Sequence, residues 1–436
     1  MNLTIHRGTH EIGGSCVEIE NHDSRIVIDI GMPITKKDGQ RFEFKNYKDI
    51  DGPVLVKEKI LPDVKGIYEW DKENKAVDGL LISHAHIDHY GFSNYLRKDT
   101  HFYLGEGTKR LIELSSIFSD AKVKIKHYTP IKSEKPFQVG SFTITPYLMD
   151  HSAFDANAFL VESHGKRILY SGDFREHGRK PGALKRFLSD VPKGIDALLL
   201  EGTLLGRDKG KDLTEKDIES ELVRIIKNSK NIVFVTLSSQ NIDRLVSFYR
   251  AALQTDRLFV IDVYTALILD KLKDLANIPH AGRFRKIRVF FPSNLCKKLK
   301  REGGEDMITK FARFKITRDE ISQKLDEIVM IVRSSIVSSF LSKIEGIGQS
   351  ATAVYSMWEG YLKDASMEGL LKFFAQKGIK RVNLHTSGHA SVDTLKKVVE
   401  KVKPKILIPI HTTSPERYKD IFPNVVELKD GVSMEI

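Results

Sequence analysis

The stretch Ser83-His84-Ala85-His86-Ile87-Asp88-His89 places four side chains that can bind metal within six residues. It follows a predicted buried strand and precedes a predicted helix that starts near Tyr90. Two histidines one residue apart can point to one metal ion, and the Asp-His pair after them can face a second. Catalytic zinc needs neutral imidazoles and carboxylates, with a position left for water. A lone histidine is usually an ordinary core or surface residue, but this spacing predicts a metal site.

Further polar residues stand at the ends of predicted strands elsewhere in the chain. They are Asp29, His151, Asp173 and His411. Strand ends are where open sheets usually build their sites. Each of these residues, taken singly, is explained as a cap or a turn residue. Because they recur at strand ends around the first cluster, we expect them to complete the same site.

Size and composition set outer limits on the protein. At 436 residues the chain is too long for one ordinary domain. Its net charge of +11 suits a polyanionic partner, nucleic acid before an anionic membrane, although a Lys-rich solvated surface explains the charge about equally well. Cys16 and Cys296 form no CxxC pair, which argues against a disulfide scaffold or a thiolate zinc site. We therefore expect a cytoplasmic protein, and the first residues lack an apolar run long enough for a signal peptide or a membrane span.

The pattern of predicted elements changes after Glu201. A β-α-β-α rhythm over residues 204–379 predicts a separate domain around a parallel sheet. Strand patterns at Arg381–Leu384 and Lys405–Ile410 then return to the style of the first part. The predicted organisation is a first domain at 1–203, an inserted domain at 204–379, and the completion of the first domain at 380–436.

With these residues in place, the sequence resembles the metallo-β-lactamase superfamily, specifically its β-CASP nuclease branch, and most of all bacterial ribonuclease J-like exonucleases. The resemblance implies an α/β fold, a metallo-β-lactamase αββα sandwich with an inserted β-CASP α/β domain. The residues that support it are Asp29, His84–His89, His151, Asp173, Glu201, His389 and His411.

The resemblance also implies roles for these residues. Two Zn²⁺ ions would share the site, with Mn²⁺ as an alternative. The first ion would be bound by His84, His86 and His151, and the second by Asp88, His89 and His411. Asp173 would bridge both ions. Asp29 would orient a ligand imidazole. The catalytic residues would be His389, Glu201 and Asp88, with Glu201 raising the basicity of His389 and His389 acting as general acid.

A substrate phosphate is expected near the segment that contains His389. Ser387, Gly388 and Ser391 precede a predicted helix, whose start can bind an anion. Arg175, just after Asp173, is a further candidate for phosphate contact. The alternatives are that Ser391 only caps the helix and that Arg175 lies in a solvated loop.

The expected function is hydrolysis of phosphodiester bonds with a metal-bridging hydroxide as nucleophile. The resemblance favours a ribonuclease, acting as a 5′-to-3′ exonuclease, an endonuclease or both, because RNA-acting members of the branch tend to have histidine where this chain has His411. A DNA nuclease of the same family and, less favoured, a small-molecule metallohydrolase stay open as alternatives. RNA is the expected partner, with single-stranded DNA second, no membrane, and a homodimer left open. Gly202-Thr203 replaces the Ser-Thr of many members, which leaves substrate choice open.

Overall fold

The structure is a computed structural model that describes residues 1–36, 38–207 and 213–436. The chain divides into two compact units. The first unit comprises Met1–Gly210 and Gly388–Ile436, and the second comprises Lys211–Ser387. Within the described residues, none of the helices combines the length and apolar character that crossing a membrane requires.

The strands are numbered in chain order. They are β1 Asn2–Arg7, β2 Cys16–Glu20, β3 Arg25–Ile28, β4 Gly79–Leu81, β5 His101–Leu104, β6 His127–Pro130, β7 Phe137–Val139, β8 Phe142–Leu148, β9 Asn157–Ser163, β10 Lys166–Tyr170, β11 Ala197–Glu201, β12 Val233–Thr236, β13 Leu258–Asp262, β14 Ile287–Phe290, β15 Ile328–Ile331, β16 Thr352–Tyr355, β17 Lys380–Asn383, β18 Ile406–Ile410 and β19 Ser433–Glu435.

The α-helices are numbered in the same way. They are α1 Gly52–Lys57, α2 Ile87–Tyr90, α3 Glu106–Phe118, α4 Pro181–Asp190, α5 Glu215–Asn228, α6 Ile242–Gln254, α7 Val263–Leu272, α8 Ser293–Arg301, α9 Glu305–Thr309, α10 Arg318–Gln323, α11 Ala365–Gln376 and α12 Val392–Val402. Short 3-10 helices lie at Phe44–Asn46, Ser93–Tyr95, Ala312–Phe314, Leu325–Glu327, Ser334–Ile336, Leu341–Lys343, Glu359–Lys363 and Pro415–Tyr418.

The first unit contains two sheets that share one apolar core. One sheet has seven strands in the order β19-β1-β2-β3-β4-β5-β6, and the other has six in the order β18-β11-β10-β9-β8-β7. Side chains from both sheets, such as Ile5, Ile28, Phe159 and Leu199, belong to the same buried cluster. A second cluster joins the six-stranded sheet to helices α4 and α12. Burial of these apolar surfaces is the main favourable term that holds the layers together.

Three neighbouring strands of the six-stranded sheet are parallel and end at the same edge. Strand β10 pairs in parallel with β11, and β11 pairs in parallel with β18, with Glu201 opposite Ile410. The carboxyl ends of parallel strands lie together, so the residues that follow them converge. Asp173 follows β10, Glu201 ends β11 and His411 follows β18.

The second unit is built around one sheet in which every pairing is parallel. Its strand order is β14-β13-β15-β12-β16-β17. Strand β17 pairs with β16 in this sheet, with Thr352 opposite Lys380. The expectation that the strand near Arg381–Leu384 belongs to the first domain is therefore wrong. A short strand pattern shows that a strand forms, but not which sheet provides its partner.

Candidate metal centre

The loop that contains the candidate metal ligands connects strand β4 to helix α2. It contains His84 and His86, and helix α2 then begins at Ile87. The segment after β3 runs directly against this loop, where a Cβ on Gly31 would lie only 1.6 Å from the backbone oxygen of Asp88. Glycine is required at this close approach of two backbones. The amide of Met32 donates to the carbonyl of Ile87 at 3.1 Å, which fixes the loop further.

A first group of possible ligands is formed by His84, His86 and His151, whose donor atoms lie within 4.8 Å of one another. The Nδ1 atom of His151 lies 2.6 Å from the carbonyl oxygen of Gly388, so a proton held there leaves the lone pair of Nε2 for a metal ion. Burial lowers the pKa of His86 to about 4 and also lowers the pKa of His84 and His151. Neutral imidazole is the form that binds metal.

A second group is formed by Asp88, His89, Asp173 and His411, all buried and with ligand atoms within 4.8 Å of one another. The Nε2 atom of His411 lies 3.3 Å from Oδ2 of Asp88. Burial raises the pKa of Asp88, but nearby His89 and His411 outweigh this effect and bring it down to about 2. The carboxylate is therefore ionised, as a metal ligand must be.

Asp173 lies where the two groups meet. Its Oδ2 atom is 3.2 Å from Nε2 of His89 and 3.8 Å from Nε2 of His84. One histidine belongs to each group. The side chain of Asp173 is only 2% exposed. A carboxylate with two oxygens in this position is suited to ligate ions on both sides.

The chemistry of the pocket fits divalent cations. The Nε2 atom of His84 is buried and makes no hydrogen bond to any of the described residues, although a buried polar atom normally has a partner. Asp29, Asp88 and Asp173 are all at least 93% buried. Buried charges are paired or coordinate metals, because an isolated one is strongly unfavourable. A cation beside these residues would satisfy both the imidazole and the carboxylates.

Asp29 orients His89 through a buried network. Its Oδ2 atom lies 2.8 Å from Nδ1 of His89 and accepts a hydrogen bond from the hydroxyl of Tyr170 at 2.8 Å. Its Oδ1 atom accepts from the amide of Ser83 at 2.7 Å. A proton held on Nδ1 leaves Nε2 of His89 to face the metal group.

Glu201 and His389, the predicted acid–base residues, lie next to each other. The Oε2 atom of Glu201 is 3.5 Å from Nδ1 of His389, while Oε1 accepts from the amide of Ala390 at 3.0 Å. Burial lowers the pKa of His389, but the charges of Glu201 and Asp173 outweigh burial and raise it. Glu201, His389 and His411 also have their ligand atoms within 4.8 Å of one another. His389 is therefore close enough to the metal groups to act as acid or as ligand.

Sequence reasoning missed three residues that hold the predicted ligands in place. Ser83 and Tyr170 both contact Asp29, and the Oγ1 atom of Thr203 lies 2.8 Å from Nδ1 of His411. Thr203 stands two residues after Glu201, and Ser83 directly precedes the first histidine, so both had a sequence signal. Tyr170 had none, because its hydroxyl reaches Asp29 across 141 residues of chain.

Two of the predicted phosphate contacts have other partners. Arg175 is fully buried, and its Nε atom lies 3.6 Å from the buried carboxylate of Asp150. A guanidinium without exposed surface has no face to offer a substrate phosphate, so the expectation for Arg175 is wrong. Ser391 is the N-cap of α12 and accepts from the amide of Thr394, as the alternative interpretation predicted. Glu176 accepts from the hydroxyl of Thr394 at this helix start, which disfavours an anion there.

Residues 67–229 match the family model of the β-lactamase superfamily domain, so the chain is similar to this superfamily over that range. The chain is also similar to ribonuclease J. It is 25% identical to ribonuclease J of Helicobacter pylori strain B128 over 94% of this chain and 56% of that protein. It is 24% identical to ribonuclease J of Mycoplasma pneumoniae over 93% of this chain and 66% of that protein. The chain thus spans just over half the length of its Helicobacter relatives.

A solved structure of a protein of unknown function from Enterococcus faecalis V583 superposes on the chain with a TM-score of 0.79. The identity is 20%, and the match covers 99% of both chains. At this identity the likeness shows the fold alone. Together with the domain match it confirms the predicted α/β, metallo-β-lactamase class of fold and the resemblance to ribonuclease J-like proteins.

Proposed function

We propose that the chain is a metal-dependent ribonuclease that hydrolyses phosphodiester bonds. The observation that supports this most directly is the position of Asp173 between two ligand groups, with His389 3.8 Å away from it. The similarity to ribonuclease J supports RNA as the substrate. His/Asp sites of this kind bind Zn²⁺ and also accept Mn²⁺, and we propose two Zn²⁺ ions.

The two ligand groups would divide the metal ions between them. His84, His86 and His151 would hold one ion, and Asp88, His89 and His411 the other, with Asp173 shared. When bound, such ions lower the pKa of water and neutralise charge on the phosphate oxygens. Asp88 would contribute to catalysis only by binding the second metal ion.

The residues of the chain would control the protons. The attacking water releases one proton to the solvent as its oxygen bonds to phosphorus, and the bond from phosphorus to the 3′-oxygen breaks. The downstream product keeps a 5′-phosphate, and the solvent afterwards returns a proton to His389. The leaving 3′-oxygen takes a proton from Nε2 of His389, while Nδ1 faces Glu201. Glu201 stabilises the protonated imidazole, which keeps the acid charged until it is used. Ser387 and Gly388 remain our proposed contacts for a substrate phosphate.

Replacement of His389 by alanine tests this function. We expect a loss of 10²- to 10⁴-fold in kcat on a 5′-phosphorylated RNA, since that is the usual contribution of a general acid. Zinc content should stay the same as in the wild type. The exposed His22→Ala variant is the control and should retain full activity. Loss of zinc in His389→Ala would make His389 a ligand and contradict its role as acid.

The mode of cleavage and the choice of nucleic acid need a second experiment. Linear 5′-monophosphorylated RNA, the matched DNA strand and circular RNA are incubated with the protein, with and without Zn²⁺ or Mn²⁺. Degradation of linear RNA alone would support a 5′-to-3′ exonuclease, and cleavage of the circle would support endonuclease action. Preferential cleavage of DNA would favour the DNA nuclease alternative. Absence of nuclease activity on every strand would contradict the proposed function and favour a small-molecule hydrolase.

A further inference from the structure

The basic residues of the second unit are concentrated in one segment. Residues 283–324 contain thirteen Lys and Arg against five Asp and Glu, an excess of eight in a chain whose net charge is +11. This segment lies outside the proposed catalytic residues. A charge run is often only a solvated face, so the arrangement of these residues in space decides its meaning.

The structure gathers part of this segment into a groove. The groove has a volume of about 440 Å³ and is lined by five basic residues, two glutamates and two apolar residues. The basic residues are Arg285, Lys286, Arg288, Lys315 and Lys324. Leu258 and Ile316 contribute its apolar surface. A concave basic surface focuses the electrostatic potential more strongly than scattered charges do.

The groove is assembled from sequence-distant pieces at one end of the sheet. Leu258 starts β13, and β14 begins at Ile287, directly after Arg285 and Lys286. The amide of Ile316 donates to the carbonyl of Val289 at 3.0 Å, which holds the segment of Lys315 along β14. These are the amino ends of the parallel strands. The opposite, carboxyl end of the sheet includes Asn383, from which the chain continues to Gly388.

Most of the positive charge in the groove is available to a ligand. Lys286 pairs with Asp256 at 2.8 Å, but Arg285, Lys315 and Lys324 form no ion pair among the described residues. Glu320, one of the two lining glutamates, is already engaged. It accepts hydrogen bonds from the amide and hydroxyl of Thr317 at 2.7 and 2.8 Å as part of a helix cap.

Two aromatic side chains directly precede lining residues in the chain, although neither is itself a lining residue, and aromatic rings next to a basic groove favour nucleic acid over other polyanions. Phe284 precedes Arg285, and Phe314 precedes Lys315; both are half-buried. The guanidinium of Arg313 lies 4.7 Å from the ring centre of Phe314, and that of Arg283 lies 5.9 Å from that of Phe284. Basic grooves with aromatic and arginine planes are the usual surface for single-stranded nucleic acid.

We propose that this groove is an RNA-binding site separate from the catalytic residues, which holds the phosphate backbone of a long substrate. The proposal rests on the proposed function for its choice of RNA. It implies that the groove contributes to affinity for long strands and not to the chemical step.

Charge reversal tests the groove in the full-length protein. The variant Arg285→Glu/Lys315→Glu/Lys324→Glu is compared with Lys216→Glu/Lys227→Glu/Lys230→Glu. This control makes the same change in net charge at exposed positions on α5 and just after it, in the same unit. Binding of a fluorescent 30-nucleotide RNA is measured in EDTA, so that the RNA is not cleaved during the measurement. We expect at least tenfold weaker binding for the groove variant and less than threefold for the control. The slope of log Kd against log salt should fall by about 2, since each phosphate contact on a single strand contributes about 0.7.

Kinetics on two substrate lengths provide a second readout. With Zn²⁺, the groove variant should raise KM for the long RNA at least tenfold, with unchanged kcat and unchanged KM for a four-nucleotide substrate. If the groove variant and the control variant lose RNA affinity equally, the effect comes from net charge alone and the proposal is overturned. Binding to phosphatidylserine vesicles is measured as well. If the groove variant loses vesicle binding but still binds RNA, the RNA proposal is overturned in favour of a membrane contact.

The groove and the proposed function can fail separately. If the wild type binds RNA through the groove but cleaves no nucleic acid, the site stands and the proposed function fails. If the wild type cleaves RNA and the groove variant binds RNA as tightly as the wild type, the function stands and the site fails. Should the triple reversal unfold, as judged by circular dichroism, the milder Arg285→Ala/Lys315→Ala/Lys324→Ala variant replaces it, with at least threefold weaker binding as the criterion.

Discussion

The Oδ2 atom of Asp29 lies 2.8 Å from Nδ1 of His89, and both side chains are completely buried. Asp29 adopts a left-handed backbone conformation with φ of 60°, which non-glycine residues rarely do. Such conformations persist where the surrounding structure fixes them, often at functional sites. The contact determines which nitrogen of His89 is free to bind metal, so it is the natural first target for mutation.

Asp29→Asn should weaken metal binding about 10- to 100-fold, the usual effect of removing a partner of a ligand histidine. The amide can no longer hold a proton on Nδ1 as strongly, and Nε2 becomes a poorer donor. Competition with a chromogenic chelator gives the affinity. Tyr170→Phe removes a 2.8 Å hydrogen bond to the same carboxylate oxygen without changing its charge, so comparing the two variants separates the effect of the charge from that of the hydrogen bond. Equal affinity of Asp29→Asn and wild type would show that Asp29 does not tune His89.

Glu201→Gln should shift the pH profile of kcat towards lower pH. Burial lowers the pKa of His389, and the charges of Glu201 and Asp173 raise it above its usual value. Loss of one charge therefore lowers this pKa. A general acid works only while protonated, so the decline of kcat at high pH should begin at a lower pH in the variant. If the fall of kcat at high pH is the same in the variant and the wild type, with normal zinc content, then Glu201 neither positions His389 nor raises its pKa.

Asp155→Asn should remove a pH-dependent loss of stability. Burial raises the pKa of Asp155 to about 6, although the amide of Gly107 donates to its carboxylate. Because the folded pKa lies above the unfolded one, the stability contributed by the neutral form is complete below about pH 4 and is lost as pH rises to about 6. The variant should be more stable than the wild type at pH 8, by up to about 3 kcal/mol.

Thermal unfolding of both proteins between pH 4 and 8 measures this effect. Asparagine preserves an acceptor for Gly107 and tolerates the left-handed backbone of Asp155, which has φ of 63°. Asp23→Asn, at an exposed position, is the control and should follow the wild type. If the wild type and Asp155→Asn lose stability in parallel from pH 4 to 6, the loss does not come from ionisation of Asp155.

Arg244→Ala should destabilise the second unit by about 3–5 kcal/mol, because it leaves the buried charge of Glu215 without its partner. Arg244 and Glu215 are fully buried, with Nη2 and Oε1 3.0 Å apart. The same guanidinium donates to the carbonyl of Thr386 at 3.2 Å, three residues before His389. Urea unfolding measures the loss. Arg224→Ala breaks an exposed pair with Glu221 on α5 and should change stability far less than Arg244→Ala does.

Comparison of the residues with their predicted places shows where sequence reasoning works. His84, His86, Asp88 and His89 are close in the chain, so local geometry alone brings them to one loop. Polar residues after parallel strands were also found, because such strand ends meet at one edge. Arg175 was misplaced because its position after Asp173 gave no information on burial.

The sequence by itself supplied the candidate metal donors and their order through residue type and short-range spacing, and its resemblance to the metallo-β-lactamase superfamily implied the class of fold. The tertiary structure alone decided that Asp173 stands between two ligand groups, that Tyr170 and Thr203 orient distant ligands, and that β17 joins the second sheet. The tertiary structure also brings basic residues that are far apart in the segment together in one groove. The physical reason is that burial, pairing and hydrogen-bond partners depend on residues far apart in the chain, whose approach is fixed only when the whole core packs.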